Sequence, residues 1–296
     1  MALTLSSCLN TQTHNKNGWN NVNEDLKDRL PKSAMKSLDS IEDIAIKTNN
    51  QKELLRTFLY RFKIFSLQEE NPIEASIKFA EENISKLQEP EKSIFNLAIA
   101  SLYENYLNEN RYSIQKNIPI LNDQQSVSIK FWDEATFKRV INQYYKNALS
   151  DVELLQNTPI NSYINILTNN SIDQSTDIEP TLYDYTIHKI INNYQNNNLN
   201  DKALNLYNEL ISFDEKRNFK DAKIYNEIYK LKLENEISYN FNLYFNSLEE
   251  IKKEISDNPL ITSVMALQAK LLNDSETVDF KKILDICDEA IALFPN

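Results

Sequence analysis

PEKSIFNLAIASLYENY, residues 90–106, is the segment from which the fold class of this chain follows most directly. Its apolar residues recur at steps of three and four, which is the period of an α-helix with one apolar face. Pro90 precedes the stripe, at a position where proline suits the start of a helix. The stripe comprises Ile94, Leu97, Ala98, Leu102 and Tyr106.

Similar stripes predict helices along most of the 296 residues, and all eight prolines fall at or near their inferred ends or in the links between them. The helix after Pro31 should bury Ala34, Leu38, Ile41 and Ala45, whereas residues 108–129 lack a stripe and predict an irregular excursion. Later helices are predicted at Phe131–Leu149, Ile160–Leu167, Leu182–Tyr194, Ala203–Phe213, Ala222–Leu233, Tyr239–Ile255, Ile261–Leu272 and Phe280–Phe294.

Glycine is nearly absent, since the chain contains only Gly18. Tight hairpins and phosphate-binding loops depend on glycine for positive φ or for a close backbone approach. The composition therefore favours an all-α protein without a nucleotide loop. Asparagine tolerates the left-handed conformation at helix ends, and asparagine runs at 49–50, 169–170 and 196–198 lie where helical patterns stop.

We therefore predict an all-α fold, a degenerate helical-repeat (tetratricopeptide-like) array of antiparallel helix pairs. Residues 1–18 form a leader and flexible tether, and residues 19–150 form an N-terminal helical array. Residues 151–180 are an irregular linker with a short helix, and residues 181–296 form a C-terminal helical-repeat array.

The charge balance excludes one class of partner. A net charge of −11 argues against nucleic acid, which requires a basic face. Acidic pairs such as Glu81-Glu82 and Glu249-Glu250 are expected to be solvated helix faces with lysines nearby. No apolar run is long enough to span a bilayer.

The sequence offers little catalytic chemistry. It contains no glycine-rich phosphate loop, no nucleophile elbow and no H-E-x-x-H metal motif. Asp184 and His188 stand at the i, i+4 spacing of a general-base pair, but no nucleophile or metal partner can be named, so a partly buried, hydrogen-bonded structural histidine is expected. We predict no enzyme activity, no catalytic residues, no cofactor and no metal. Cys287 is expected to be a small buried apolar residue.

Leu5-Ser6-Ser7-Cys8 is similar to a bacterial lipobox, in which small residues precede a lipidated cysteine. A full signal peptide has a basic region and a longer apolar stretch, so this interpretation requires a true start upstream of Met1. The alternative is an accidental match. The polar segment 9–18 would then be the tether, and Cys8 is the predicted site of lipid attachment.

Several segments together resemble the N-terminal helical region of alpha-2-macroglobulin-like proteins from Bacteroidetes. The most specific are Leu30-Pro31-Lys32-Ser33-Ala34 and Pro180-Thr181-Leu182-Tyr183-Asp184. The others are Trp19, Leu102-Tyr103 through Tyr106-Leu107, Asn110-Arg111-Tyr112, Phe131-Trp132-Asp133, Ile286-Cys287, Ala290-Ile291 and Phe294-Pro295. Where the family more often has a basic residue, this chain has Glu179.

The resemblance implies a non-catalytic helical scaffold that forms the N-terminal part of a cell-envelope protease-trapping protein, an endopeptidase inhibitor. Its partners would be the adjoining macroglobulin domains, a protease or another envelope protein, and its only contact with the membrane would be the lipid on Cys8. A periplasm-facing or outer-membrane lipoprotein is the implied location. The alternatives are a helical-repeat binding lipoprotein of the SusD nutrient-uptake type and a free-standing protein-interaction scaffold.

Overall fold

The computed structural model describes residues 18–117, 128–167, 176–275 and 278–293, which form fifteen α-helices. Successive helices pack against one another in an antiparallel-like manner, which confirms the predicted all-α class. The tetratricopeptide-like type of repeat stays a prediction. The helices are α1 (18–27), α2 (Pro31–Lys47), α3 (Gln51–Gln68), α4 (Pro72–Asn83), α5 (Glu91–Glu109), α6 (Arg111–Ile114), α7 (Glu134–Ala148), α8 (Val152–Asn157), α9 (Ile164–Leu167), α10 (Leu182–Asn196), α11 (Asn200–Arg217), α12 (Lys220–Ser238), α13 (Phe241–Glu254), α14 (Ile261–Asn273) and α15 (Phe280–Leu293).

The chain divides into two compact units, unit 1 (Met1–Thr158) and unit 2 (Pro159–Asn296). Helix α5 is the centre of unit 1, because it packs against α3, α4 and α7. It is buried on nearly every side rather than along one stripe. Phe95 and Ile99, which lie outside the predicted stripe, are therefore fully buried, whereas Ala98 and Leu102 of the stripe are only partly buried.

In unit 2 each helix from α11 to α15 packs against the one before it. A shared apolar core runs through its later helices, with Leu248 of α13 and Val264 and Met265 of α14 fully buried. Helix α15 contributes Ile286 to this core, together with the partly buried Ile283 and Ala290.

Asparagine ends several helices in place of glycine. Asn49, Asn198 and Asn218 all have φ between 51° and 59°, the left-handed region that most residues avoid. The predicted role of the runs at 49–50 and 196–198 is confirmed, and the run at 169–170 lies outside the described residues.

The structure departs from the predicted helix pattern in four places. The predicted helix Ile160–Leu167 is instead a 3₁₀ turn, Ile160–Ser162, followed by the single turn of α9. Helix α5 continues to Glu109 and α6 follows at once, within the predicted excursion over 108–129, because Ile114 gains a buried contact. Helix α8 begins after Asp151, whose side chain accepts a hydrogen bond from the Leu154 amide. Gly18 belongs to α1 rather than to a tether, and a Cβ on it would lie 3.0 Å from Ile41 Cγ1.

The four predicted core residues of α2, namely Ala34, Leu38, Ile41 and Ala45, are all buried. The other later helices form with ends within a few residues of those predicted, although Phe294 lies outside the described part of α15. Across the described helices, none is both long enough and apolar enough to cross a membrane.

Candidate functional site

His188 and Asp184 are buried in unit 2, but they do not form the pair that their spacing suggested. Asp184 Oδ2 instead accepts hydrogen bonds from the backbone amide and the hydroxyl of Thr181, at 3.0 and 2.6 Å. Thr181 Oγ1 in turn accepts from the amides of Tyr183 and Asp184, which completes a capping box at the start of α10. Asp184 is thus committed to the helix N-terminus.

His188 is held by two other residues. Its Nδ1 lies 2.7 Å from Glu179 Oε1, and its Nε2 lies 2.7 Å from Asn226 Oδ1. The amide nitrogen of Asn226 donates to Asp214 Oδ2 at 2.9 Å, which leaves the Asn226 oxygen facing the imidazole. Because a carboxylate and an amide oxygen only accept, the protonated imidazole, which donates from both ring nitrogens, satisfies both contacts.

The pKa shifts agree with this arrangement. Burial alone would lower the pKa of His188, but the hydrogen bonds and charges of Glu179, Asn226 and Asp184 raise it above its usual value. Burial, and then the charge of Asp184, raises the pKa of Asp214 to about 8. Burial also raises the pKa of Asp184, against the lowering effect of the Thr181 hydrogen bonds.

This buried network contains an acid pair, a histidine and the Thr181 hydroxyl, which donates to Asp184 within the capping box. Its members connect α10, α11, α12 and the segment before α10, so they bind the helices of unit 2 to one another. The structural role expected for His188 fits this geometry. Sequence spacing missed Asp214 and Asn226, because they lie 26 and 38 positions after His188.

A second candidate site is an open cavity in unit 1 with a volume of about 540 Å³. One face of α4 forms its rim with Glu74, Lys78 and Glu81, and the preceding turn adds Glu69 and Glu70. Ile77, Tyr103, Ile129 and Trp132 supply the apolar and aromatic part of its lining.

The cavity wall is fixed by aromatic stacking. The rings of Tyr103 and Trp132 lie 5.6 Å apart and are almost parallel, and Tyr103 also stacks on Tyr144 at 5.7 Å. The hydroxyls of Tyr103 and Tyr144 both donate to Glu81 Oε1, at 2.6 and 3.2 Å. Glu81 is exposed, as the sequence predicted, but its hydrogen-bond partners are two tyrosines rather than lysines.

The cavity carries more negative than positive charge. Four glutamates line it against one lysine, Lys78. Lys130 reaches Glu74 at 3.5 Å and is the only cation recorded in an ion pair with a lining glutamate among the described residues. The site combines a negative rim with an apolar wall, which is a typical composition for a site that binds a long basic side chain.

A third feature is the outer face of α15. Phe280, Leu284 and Ile291 are 70%, 62% and 65% exposed and recur at steps of four and seven. Cys287 lies on the same face and is exposed, so the prediction that it is buried is wrong. The face that packs on α14 is instead Ile283, Ile286 and Ala290, about a quarter of a turn away.

Glu249 also differs from the prediction of a solvated acidic face, because its Oε1 accepts a hydrogen bond from the buried Gln268 at 2.7 Å.

Cys8 and His14 lie outside the described residues. Within the described ranges, no group of three or more His, Cys, Asp or Glu side chains is arranged to hold a metal ion. Comparisons with protein-family models, curated proteins and solved structures give no match for this chain.

Proposed function

We propose that this chain is a non-catalytic helical scaffold that binds a protein partner, and that the cavity of unit 1 receives a lysine or arginine side chain of that partner. The observation that carries the proposal is the composition of the cavity, which sets four glutamates around an apolar and aromatic wall. The wall packs against the alkyl stem of a basic side chain, and the carboxylates at the rim neutralise its charged end.

The carboxylates of the rim differ in how freely they can reorient toward a bound cation. Glu81 is hydrogen-bonded to two tyrosines and Glu74 is paired with Lys130, so both are already oriented. Glu69 and Glu70 lie in the exposed turn before α4 and can turn toward an incoming cation. An exposed pair of this kind contributes about 0.5–1 kcal/mol, so recognition depends on several weak contacts acting together.

The test is the fluorescence anisotropy of a labelled, unstructured peptide rich in lysine and arginine, titrated with the full chain. Glu70→Gln combined with Glu74→Gln should weaken binding roughly tenfold, since two pairs of about 0.5–1 kcal/mol are lost. Glu82→Gln is the matched control, because Glu82 is exposed on the same helix but does not line the cavity. Equal affinity for the double variant and the control would contradict the proposal, and so would binding of an all-glutamate peptide.

The resemblance supports a more specific form of this proposal, in which the chain is the N-terminal part of an alpha-2-macroglobulin-like protease-trapping protein of the cell envelope. The exposed apolar face of α15 is a surface against which an adjoining domain could pack. Burying Phe280, Leu284 and Ile291 would contribute about 1.5–3 kcal/mol for each side chain.

The reading frame of the intact gene tests this form. Repeated β-sandwich domains encoded after Asn296 would support it, and a stop codon there would count heavily against it. Metabolic labelling of the full-length product with a palmitate analogue tests the anchor at Cys8. If Cys8→Ala is labelled as strongly as the unchanged protein, the lipoprotein proposal is wrong. Glycan binding by the chain would favour the SusD-type alternative.

A further inference from the structure

The core of unit 2 brings two carboxyl groups together away from water. Asp184 of α10 and Asp214 of α11 are both fully buried, and each lies within hydrogen-bonding reach of the other. Oδ2 of each is already satisfied, in Asp184 by Thr181 and in Asp214 by Asn226. Oδ1 of each is buried and receives no hydrogen bond from any donor in the described residues.

One proton shared between the two carboxyl groups would give both Oδ1 atoms a hydrogen bond. Two ionised carboxylates would repel each other at short range without water to screen them. A carboxylic acid, by contrast, donates to the neighbouring carboxylate, and the pair then carries a single negative charge. The charge of a protonated His188 acts on Asp184 and favours its ionised form.

The groups that face this pair come from every element packed around it. Glu179, in the segment before α10, binds His188, and Tyr225 of α12 lies edge-on to the same imidazole at 5.6 Å. Burial, followed by the charges of Glu209, Asp184 and Asp214, raises the pKa of Tyr183 of α10 to about 12. Both tyrosines therefore stay neutral below strongly alkaline pH.

We propose that the Asp184–Asp214 pair and His188 form a proton-dependent lock that holds α10, α11 and α12 together and releases them as the pH rises. Loss of the shared proton leaves two buried negative charges on neighbouring helices. Loss of the His188 proton removes one of the two hydrogen bonds between its ring and Glu179 and Asn226. Both changes weaken contacts between the same helices.

Proton linkage predicts how the stability of unit 2 changes with pH. The pKa of each of these three groups is higher in the folded unit than its ordinary value. The folded unit therefore binds more protons than the unfolded chain over the range between those values, so its stability falls as the pH rises through that range. For Asp214 the range runs from 3.8 to about 8.

Hydrogen exchange of the full chain, followed by mass spectrometry at about pH 6 and about pH 9 and corrected for the intrinsic exchange rate, measures this opening. Protection of amides in α10–α12 should fall by at least about tenfold relative to amides in α5, because each unit of pKa difference between closed and open forms is worth a factor of ten. Asp214→Asn should remove most of this fall, since an asparagine amide can donate to Asp184 permanently.

Asp201→Asn, on the exposed first turn of the same helix, is the matched control and should behave as the unchanged chain. An equal fall in Asp214→Asn and in the unchanged chain would overturn the proposal, and so would no fall in either. Infrared spectroscopy of the unchanged chain gives a second measurement that needs no variant. A protonated carboxyl band present at about pH 7 and lost by about pH 10 supports the lock, and absence of that band at neutral pH overturns it.

Discussion

Replacing Tyr103 by phenylalanine tests whether the cavity wall depends on its partly buried hydrogen bond to Glu81. Tyr103 is 1% exposed, and its hydroxyl donates to Glu81 at 2.6 Å. Burial, followed by the hydrogen bond and charge of Glu81, raises the pKa of Tyr103, so the phenol remains a donor at all physiological pH values. The change removes one short, charge-assisted bond and no packing.

Tyr144→Phe provides the comparison, because its hydroxyl donates to the same Glu81 oxygen at the longer distance of 3.2 Å. Bonds to charged groups contribute about 1.5–3 kcal/mol, and this acceptor is partly hydrated, so we expect Tyr103→Phe to cost about 1–2 kcal/mol. Tyr144 is only half-buried and its bond is weaker, so its replacement should cost about 0.5 kcal/mol.

Urea unfolding followed by tryptophan fluorescence measures both values. The chain has two tryptophans, Trp19 and Trp132, and both lie in unit 1, so the signal reports on the unit that contains the cavity. Tyr112→Phe is the control, because that ring is 76% exposed, and it should change stability by less than about 0.5 kcal/mol. A cost for Tyr144→Phe equal to or above that for Tyr103→Phe would refute the reasoning.

Three further predictions concern unit 2. His188→Asn should destabilise the unit most at about pH 5 and progressively less as the pH rises, because a group with a raised pKa contributes its stability only while it is protonated; a loss independent of pH, measured by hydrogen exchange in α10, would contradict this. Thr181→Ala removes the capping box of α10 and should cost about 1–2 kcal/mol in chemical denaturation, and unchanged stability would show that the cap is dispensable. Cys287 should react with a thiol reagent in the native chain at a rate within about tenfold of that in the denatured chain, since it is exposed, whereas strong protection would mean that the outer face of α15 is covered.

Local patterns predicted the helices well, and the reason is visible in particular residues. The stripe of α2 places Ala34, Leu38, Ile41 and Ala45 on one side of the helix, and one packed neighbour, α3, is enough to bury them. Asparagine at 49 and 198 ends helices because its side chain tolerates positive φ. Both effects act within a turn or two of the chain.

Local apolar stripes predicted burial wrongly where a residue's burial depends on more than one neighbouring helix. Helix α5 has three packed neighbours, so its Phe95 is buried although the predicted stripe excludes it. Cys287 shows the opposite error, because α15 packs through Ile283, Ile286 and Ala290 and leaves the adjacent apolar residues exposed. A stripe shows that a face is apolar, but only the number and position of packed helices decide whether it is covered.

The sequence by itself determined that this chain is helical and where most of its helices begin and end. The expectation that it has no nucleic-acid partner, which rests on the net charge of −11, stays a prediction. The helical pattern follows from residue type and from spacings of three and four. The tertiary structure decided the rest. Glu81 meets Tyr144 across 63 positions, and His188 meets Asn226 across 38, so the cavity and the buried acid network exist only after distant helices pack. Because such pairs are brought together by packing rather than by spacing, no local pattern records them.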